Sequence, residues 1–279
     1  MTFRSREHTD MITSSNNAKV KQVVQWQTKA KERRKDHVFL AEGVRMCEEA
    51  PVKSVREVYL TEELEQKLRQ NAQNGDTAFW DKLQQTGYET VSPEVFAKMA
   101  DTQTPQGILT VLEQPSYDLA QLLEQPDPLF LILENLQDPG NLGTMIRTGE
   151  GAGITGVIMN GQTVDIFNPK TIRATMGSIF RVPFVYVPEL SPVLTQMHEK
   201  GIHTYAAHLK GKEYYDSFSF REPTAFLIGN EGNGLTKEIS DQSGQYLKIP
   251  MEGKVESLNA SIAAALLMYE AHRQRSLNS

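Results

Sequence analysis

The segment NLQDPGNLGTMIRTGEGAG, residues 135–153, directly follows the apolar run LFLILE of residues 129–134. The apolar run has the length and composition of a buried strand, and Asp138, Pro139 and Gly140 form a turn between it and a helical pattern. A buried strand that turns into a helix is the basic unit of an α/β sheet. We therefore predict an α/β fold, with this turn at the carboxyl edge of the sheet, where open α/β sheets bind ligands.

Apolar runs and helical stretches alternate through the rest of the C-terminal half. The predicted strands cover residues 129–134, 155–160, 182–187, 202–209, 225–229 and 246–250. The predicted helices begin near residue 142, lie near 169–176, end at 200, and run from about 257 to 273. Apolar strands that alternate with helices indicate a largely parallel sheet covered by helices on both faces.

The N-terminal half has the pattern of a smaller α/β module. The predicted strands start at His37, Val55 and Gly107 or lie around residues 88–91, and the predicted helices cover 14–34, 44–50, 62–73 and 93–100. Pro115, Pro126 and Pro128 bracket one short helical stretch and mark a boundary. We predict a small domain at residues 1–115, a linker at 116–128 and a larger domain at 129–279.

Composition narrows the class of protein. A chain of 279 residues with 39% hydrophobic residues is long enough for two modest cores. The single cysteine, Cys47, excludes an internal disulfide and is expected to be a packing residue. No apolar run approaches the roughly 20 residues that span a bilayer, and the N-terminus lacks the apolar core of a secretory signal. These features predict a cytoplasmic enzyme with no membrane partner.

Charge is distributed unevenly along the chain. The net charge is −6, yet the first 35 residues carry nine Lys and Arg against three Asp and Glu. A basic end on an acidic body favours docking of a polyanion on the N-terminal module. On charge alone, a solvated helix face explains the pattern equally well.

Two further clusters of turn residues follow later strands. IGNEGNGL, residues 228–235, surrounds Glu231 with glycines, which allow the backbone to approach a ligand closely. Its order is GxxGxG rather than GxGxxG, which argues against a dinucleotide-binding domain. IPMEGKVESLNASIAAALLMYE, residues 249–270, contains Ser257 and Asn259 at the start of a predicted helix. Either residue type can cap that helix, and a Ser/Asn pair can also orient a hydroxyl substrate without charge.

Other kinds of active site are poorly supported. The six histidines show no HxxxH or HxH spacing, and a cysteine cluster is absent from the sequence, so we predict no metal site. The sequence also lacks a GxSxG elbow and a P-loop GxxxxGK[ST]. Common hydrolase and NTPase mechanisms are thereby set aside.

The three clusters, in this order, resemble the sequence motifs of the SpoU (TrmH-like) branch of the SPOUT RNA methyltransferases. Residues 11–115, with FLAEGVRMCEEA, more loosely resemble the L30-like or L7Ae-like substrate-binding module that many members carry in front. The resemblance implies a catalytic domain with a C-terminal trefoil knot, S-adenosylmethionine as cofactor, and a homodimer whose second subunit contributes to the site. It also implies transfer of a methyl group to a ribose 2'-hydroxyl of RNA.

The resemblance assigns roles to particular positions. The backbone groups expected to hold the cofactor belong to Gly229, Ile249 and Leu258, with Met251 nearby. Arg147 matches the family's catalytic arginine, and the residues that surround it are Asn141, Glu231, Ser257 and Asn259. Gly149 departs from the family, in which a small alanine is commoner at this position, and it touches no presumed reacting group.

The chemistry leaves the role of Arg147 open. A ribose 2'-hydroxyl is a weak nucleophile unless its proton is removed as the new bond forms, and none of the three motifs contains a histidine. Either a desolvated guanidinium coupled to phosphate acts as the base, or Arg147 binds the neighbouring phosphate and stabilises the developing oxyanion. The appended module favours ribosomal RNA as substrate. The alternatives are transfer RNA, a catalytically silent ribosome-assembly factor and a small-molecule methyltransferase.

Overall fold

The structure is a computed structural model that describes residues 10–255 and 257–276. The chain forms two compact units, Met1–Pro115 and Ser116–Ser279. Within the described ranges, every helix is too short or too polar to cross a membrane.

The N-terminal unit is a four-stranded mixed sheet covered by helices. Its strands are β1 (Val38–Glu42), β2 (Val55–Thr61), β3 (Glu89–Val91) and β4 (Ile108–Glu113). Its helices are α1 (Ala18–Thr28), α2 (Ala30–Asp36), α3 (Val44–Glu49), α4 (Glu62–Gln73), α5 (Ala78–Thr86) and α6 (Pro93–Met99). The strand order is β1-β4-β2-β3, with β4 antiparallel to both neighbours and β2 parallel to β3.

Each face of this sheet carries a core of its own. Val20 and Val23 of α1 pack with α6 over one face, while Cys47 of α3 packs with α4 and α5 over the other. Burial raises the pKa of the Cys47 thiol to about 12, and no thiolate is available at neutral pH. The buried, protonated thiol agrees with the packing role predicted for Cys47.

The prediction of a single basic helix at residues 14–34 is wrong, because the helix is interrupted at Lys29. Lys29 adopts extended backbone angles between α1 and α2, and the Asn17 side chain caps α1. Arg33 explains the break: its buried guanidinium Nη1 donates to the carbonyl oxygens of Trp26 (2.7 Å) and Gln27 (3.3 Å) at the end of α1. These carbonyls lack partners within α1, so the arginine satisfies them and fixes the second helix against the first.

The C-terminal unit is a seven-stranded parallel sheet. Its strands are β5 (Leu129–Leu133), β6 (Gly156–Asn160), β7 (Phe184–Val187), β8 (His203–Ala207), β9 (Glu213–Tyr214), β10 (Thr224–Ile228) and β11 (Gln245–Lys248). Its helices are α7 (Leu119–Leu123), α8 (Pro139–Ala152), α9 (Pro169–Thr175), α10 (Ser191–Glu199), α11 (Lys237–Gln242) and α12 (Ala260–Ser276). The strand order is β7-β6-β5-β10-β8-β11-β9, and every pairing is parallel.

Helices cover both faces of this sheet, as the continuous apolar strands predict. All five residues of β5 are buried. On one face, α7, α10 and α11 share a core with alternate residues of the central strands, and α7 contributes Leu122 and Leu123 from the segment predicted as a linker. On the other face, α8 packs against α9 and α12, and α12 packs against β10. The predicted parallel α/β architecture is confirmed.

The last helix is fixed at its C-terminal end by an arginine. The Arg275 guanidinium donates to the carbonyl oxygens of Phe220, Asp127 and Glu222, each at 2.8 Å, and to that of Pro128 at 3.3 Å. These carbonyls lie before β5 and β10, at the amino edge of the sheet. The opposite end of α12 therefore has a defined position at the carboxyl edge.

Candidate active site

The first motif loop places the N-terminus of α8 at the carboxyl edge of β5. Asp138 caps the helix, because its Oδ1 accepts the Asn141 backbone N–H at 2.7 Å, and Pro139 occupies the first helical position. Asn141 therefore lies within the first turn of α8, after the cap. An Asp-Pro pair before a helical pattern is the sequence signal that identifies the actual cap.

Glu231, in the second motif loop, accepts three hydrogen bonds from the first. Its Oε2 accepts the Gln137 N–H at 3.1 Å, and its Oε1 accepts the Asp138 N–H and the Asn141 Nδ2, each at 3.0 Å. Partial burial opposes ionisation of Glu231, but these donors hold its pKa below the usual range. Glu231 is thus an ionised carboxylate that fixes the turn before α8.

Asn141 also forms a hydrogen bond with the third motif loop. Its Oδ1 accepts the Nδ2 of Asn259 at 3.0 Å, while the Asn259 Oδ1 accepts the backbone N–H groups of Ser261 (2.9 Å) and Ile262 (3.3 Å). Asn259 therefore caps α12, whereas Ser257 is exposed and lies outside the helix. The three predicted motifs are joined by one chain of side-chain hydrogen bonds, from Glu231 through Asn141 to Asn259.

Arg147 lies two turns into α8, on its exposed side. With 3.6 residues per turn, it shares a helix face with Thr144 and Gly151, which are also exposed. Within the described residues, its guanidinium makes no recorded hydrogen bond or ion pair. The side chain is a charged planar donor that is available to an incoming anion.

The neighbouring face of α8 is in contact with α9. A Cβ added to Gly143 would lie 2.5 Å from the Ala174 Cβ and 2.7 Å from the Thr171 carbonyl oxygen. Glycine at this position therefore lets the two helices approach at backbone distance. At Gly149, by contrast, an added Cβ would collide with the end of the Ile154 side chain, which fills the space of the missing methyl group.

The glycine-rich loop after β10 is closed upon itself. Asn230 and Gly234 exchange two backbone hydrogen bonds, of 3.0 and 2.9 Å, and the Asn230 Nδ2 donates to the Asn135 carbonyl oxygen at 2.9 Å. A Cβ on Gly229 would collide with the backbone of Gly234 and Leu235. Gly229 is thus required by the internal packing of the loop.

Glu134, which the sequence motifs do not single out, holds the end of the glycine-rich loop. Its carboxylate is buried at the end of β5, where its two oxygens accept the backbone N–H and the hydroxyl of Thr236, each at 2.7 Å. Thr236 caps α11 at the end of the glycine-rich loop. A charged residue at the end of an otherwise apolar strand was the available signal, because a buried carboxylate requires nearby donors.

The third motif loop offers backbone groups at the same edge. Ile249, Met251 and Leu258 are half-buried, and their N–H groups donate to no other described residue. They follow β11, two strands from β10 and its glycine-rich loop. The loop therefore combines apolar side chains with unused backbone donors, the usual composition of a small-molecule site. Across residues 10–255 and 257–276, no group of three or more metal-ligand side chains is present.

The fold and this edge define a class of protein: a parallel α/β protein in which hydrogen bonds join three loops, after β5, β10 and β11, at the carboxyl edge of the sheet. The SpoU rRNA Methylase family matches residues 128–269, and the MRM3-like substrate binding domain matches residues 17–110. The chain belongs to the SpoU rRNA methylase family. The expected family and the expected substrate-binding module in front of the catalytic unit are confirmed.

Similar proteins agree with this membership. The chain is 34% identical to the 23S rRNA (guanosine(2553)-2'-O)-methyltransferase RlmP of Bacillus subtilis, over 92% of this chain and 97% of that protein. An AdoMet-bound rRNA methyltransferase from Sinorhizobium meliloti has a TM-score of 0.83 at 29% identity, covering 96% of this chain and 98% of that one. AviRb from Streptomyces viridochromogenes, in complex with AdoMet, has a TM-score of 0.79 at 28% identity, over 93% and 98%.

The residues present fit S-adenosylmethionine, the methyl donor of this family. Such a ligand combines an apolar methionine chain with polar ribose and adenine groups. The unused N–H groups of Ile249, Met251 and Leu258, with their apolar side chains, match that combination.

Proposed function

We propose that this chain transfers a methyl group from S-adenosylmethionine to a ribose 2'-hydroxyl of ribosomal RNA. The observation that carries the proposal is the hydrogen-bonded chain Glu231–Asn141–Asn259, which fixes all three motif loops at one edge of the sheet. Arg147 lies on the helix that this chain orients. Methyltransferase activity and the methyl donor are those of the family to which the chain belongs.

We propose ribosomal RNA as the substrate because the relative from Bacillus subtilis, which matches over 97% of its length, is named as a 23S rRNA 2'-O-methyltransferase. The alternatives are transfer RNA and a silent assembly factor. A silent factor is disfavoured because no motif side chain is lost and the connections between the three loops are intact. We place the activity in the cytoplasm, where ribosomal RNA is available to such an enzyme.

Arg147 acts, in this proposal, as the ligand of the phosphate next to the target ribose. Its guanidinium is exposed and makes no recorded bond to a described residue, whereas a base would require a desolvated, tightly coupled group. The planar guanidinium of Arg147 has several N–H donors, so it can bind a phosphate oxygen and at the same time stabilise negative charge on the ribose oxygen as its proton leaves. We therefore propose charge stabilisation, rather than proton abstraction, as the role of Arg147.

Asn141, Glu231 and Asn259 act as positioning residues. The carboxylate of Glu231 and the amide of Asn141 are used within the network, so they orient α8 rather than touch the RNA. Ser257 is exposed beside the cap of α12 and remains available to position the substrate hydroxyl. These assignments rest on the hydrogen bonds of the network and on the family motifs together.

The cofactor is held, in this proposal, by Gly229, Ile249 and Leu258 through backbone groups, with Met251 beside them. When bound, S-adenosylmethionine supplies an electrophilic methyl group on a sulfonium. The apolar parts of the third loop exclude water from that group, and the network on Glu231 keeps Arg147 on the same edge. The protein therefore contributes orientation and charge stabilisation.

We further propose a homodimer and a trefoil knot. Ile262, Leu266 and Tyr269 project from one face of α12 and are 50, 38 and 48% exposed, which favours coverage by a second copy. After β11, α12 returns to the centre of the unit to pack on β10 and α8, as the knotted C-terminal segment of this family does. Residues 1–115 bind RNA, 116–128 connect the domains, and 129–279 carry out methyl transfer.

The direct test of the substrate is transfer of labelled methyl from the cofactor to purified RNA. Unmodified 16S, 23S and transfer RNA are incubated separately with the protein, and 2'-O-methyl positions are mapped by resistance to alkaline cleavage. We expect one new protected ribose in 23S RNA. Cofactor binding without transfer to any RNA would support the silent assembly factor instead.

A further inference from the structure

Some exposed basic side chains of the N-terminal unit form ion pairs with acidic neighbours, and others do not. Four are neutralised by acidic neighbours, in the pairs Lys19–Glu89, Arg45–Glu49, Arg56–Glu113 and Arg69–Glu65. Five exposed cations near the chain start make no recorded ion pair with a described residue: Lys21, Lys29, Lys31, Arg34 and Lys35. Cations that are left unneutralised in an acidic protein mark a surface suited to an anion.

The exposed and the buried basic side chains of helix α2 lie on opposite faces of the helix. At about 100° per residue, Lys31, Arg34 and Lys35 lie within an arc of about 100°. Arg33 lies on the opposite side, buried against the end of α1, where it binds backbone carbonyls. The exposed charges therefore form one row, and the buried arginine is excluded from that row.

The position of this row is fixed by the hairpin, residues 18–36. Besides Arg33, Asp36 closes the hairpin, because its Oδ2 accepts the Trp26 Nε1 at 2.7 Å and the Gln22 Nε2 at 3.3 Å. The apolar side of α1 is anchored in the core by Val20 and Val23. The cations are thus presented by a rigid element, which lowers the entropic cost of binding a partner.

We propose that the hairpin of residues 18–36 is the surface on which RNA phosphates dock. Lys29, Lys31, Arg34 and Lys35 contact phosphates, and Arg33 holds the two helices in place. The inference rests on the proposed function, which makes RNA the substrate, and it adds where and how the RNA is held. Because the row consists of Lys and Arg on a helix surface, it supplies affinity without reading the base sequence.

The test compares two full-length variants with the same loss of charge. The hairpin variant carries Lys31→Ala, Arg34→Ala and Lys35→Ala. The control carries Lys53→Ala, Lys67→Ala and Arg221→Ala, three exposed cations outside the hairpin that also make no recorded ion pair with described residues. A fluorescent RNA stem–loop is titrated with each protein between about 50 and 200 mM KCl, and the log of affinity is plotted against the log of salt concentration.

In the hairpin variant, the slope of log affinity against log salt should become shallower by about two to three units. The affinity at low salt should fall by about 10- to 100-fold. The control should change the slope by less than about one unit. An equal loss in both variants would mean that only net charge matters, and an unchanged slope in the hairpin variant would also overturn the proposal.

A second readout separates this proposal from the proposed function. At saturating RNA, the hairpin variant should retain the wild-type kcat for methyl transfer and raise only KM, and it should bind S-adenosylmethionine normally. If the wild type binds RNA through the hairpin but methylates none, the proposed function fails while the docking surface stands. If the wild type methylates RNA and the hairpin variant shows an unchanged KM, the docking surface fails alone.

Discussion

Glu231→Gln is the substitution that probes the connection between the motif loops most specifically. It keeps the size and shape of the side chain, but replaces one acceptor oxygen with an NH₂ group. The amide oxygen can accept the Asp138 N–H and the Asn141 Nδ2, which leaves the new NH₂ facing the Gln137 N–H. Two donors then oppose each other where a charge-assisted hydrogen bond existed.

The size of the effect follows from the contacts that are lost. A hydrogen bond to a charged group contributes about 1.5–3 kcal/mol, and the exposure of Glu231 reduces that figure to about 1–2 kcal/mol. If this energy holds the loops in their active arrangement, methyl transfer should fall by about 5- to 30-fold. Single-turnover transfer measures the rate, and calorimetry measures cofactor affinity. Glu238→Gln, an exposed carboxylate on α11 outside the network, is the matched control.

The pH dependence distinguishes positioning from simple packing. Because the pKa of Glu231 is lowered in the fold, its stabilisation is complete above the pKa of the unfolded chain and is lost as the pH falls through the folded pKa. The difference in thermal stability between wild type and Glu231→Gln should therefore shrink below about pH 4.5. A wild-type transfer rate in the variant, or a stability difference that stays constant with pH, would show that the Glu231 carboxylate does not hold the loops in their active arrangement.

Three further outcomes are expected. Gly143→Ala should destabilise the protein by about 1–3 kcal/mol in denaturant unfolding, because the added methyl group would lie 2.7 Å from the Thr171 carbonyl oxygen, which is fixed backbone. Gly151→Ala should be nearly neutral, because its methyl group would contact only the hydroxyl of the Tyr269 side chain, which can move. Gly229→Val should abolish S-adenosylmethionine binding in calorimetry, because the side chain collides with the glycine-rich loop itself; retained binding would contradict the assignment of that loop. Leu266→Glu should shift sedimentation of the wild-type dimer toward monomer; a wild type that sediments as a fully active monomer would refute the dimer.

Much of the fold is readable from the sequence, because the strands of the C-terminal unit are apolar and bounded by turn residues. The run of residues 129–134 becomes β5, and the helix predicted at 62–73 has the bounds of α4. Short elements are harder to predict. The nine-residue α5 was missed although Phe79 and Leu83 are apolar, α11 has a single apolar residue, Ile239, and the two-residue β9 is defined only by its partner β11. Such elements form because the tertiary structure supports them, and local sequence pattern is a weak signal for them.

The sequence predicts which residues belong to the candidate site, but it does not predict the hydrogen bonds between them. The resemblance to the family motifs points to Asn141, Glu231 and Asn259, yet their mutual hydrogen bonds join positions that are 90 and 118 residues apart. The same limitation explains the break at Lys29, which depends on a buried arginine rather than on a proline or glycine. The caps at Asp138 and Asn259 were readable, since residues of both types favour the N-cap position.

Single-turnover methyl transfer with Arg147→Ala and Arg147→Lys measures whether Arg147 stabilises the charge of the reacting RNA. Because Arg147 is exposed and forms no recorded bond to a described residue, Arg147→Ala should leave the free energy of unfolding within about 0.5 kcal/mol and cofactor affinity unchanged. Transfer should nevertheless fall by about 10²- to 10⁴-fold, and lysine should restore little, because it lacks the planar fork. A rate within about threefold of wild type, with cofactor and RNA saturating, would show that Arg147 is an ordinary surface residue of α8 and would contradict the mechanism.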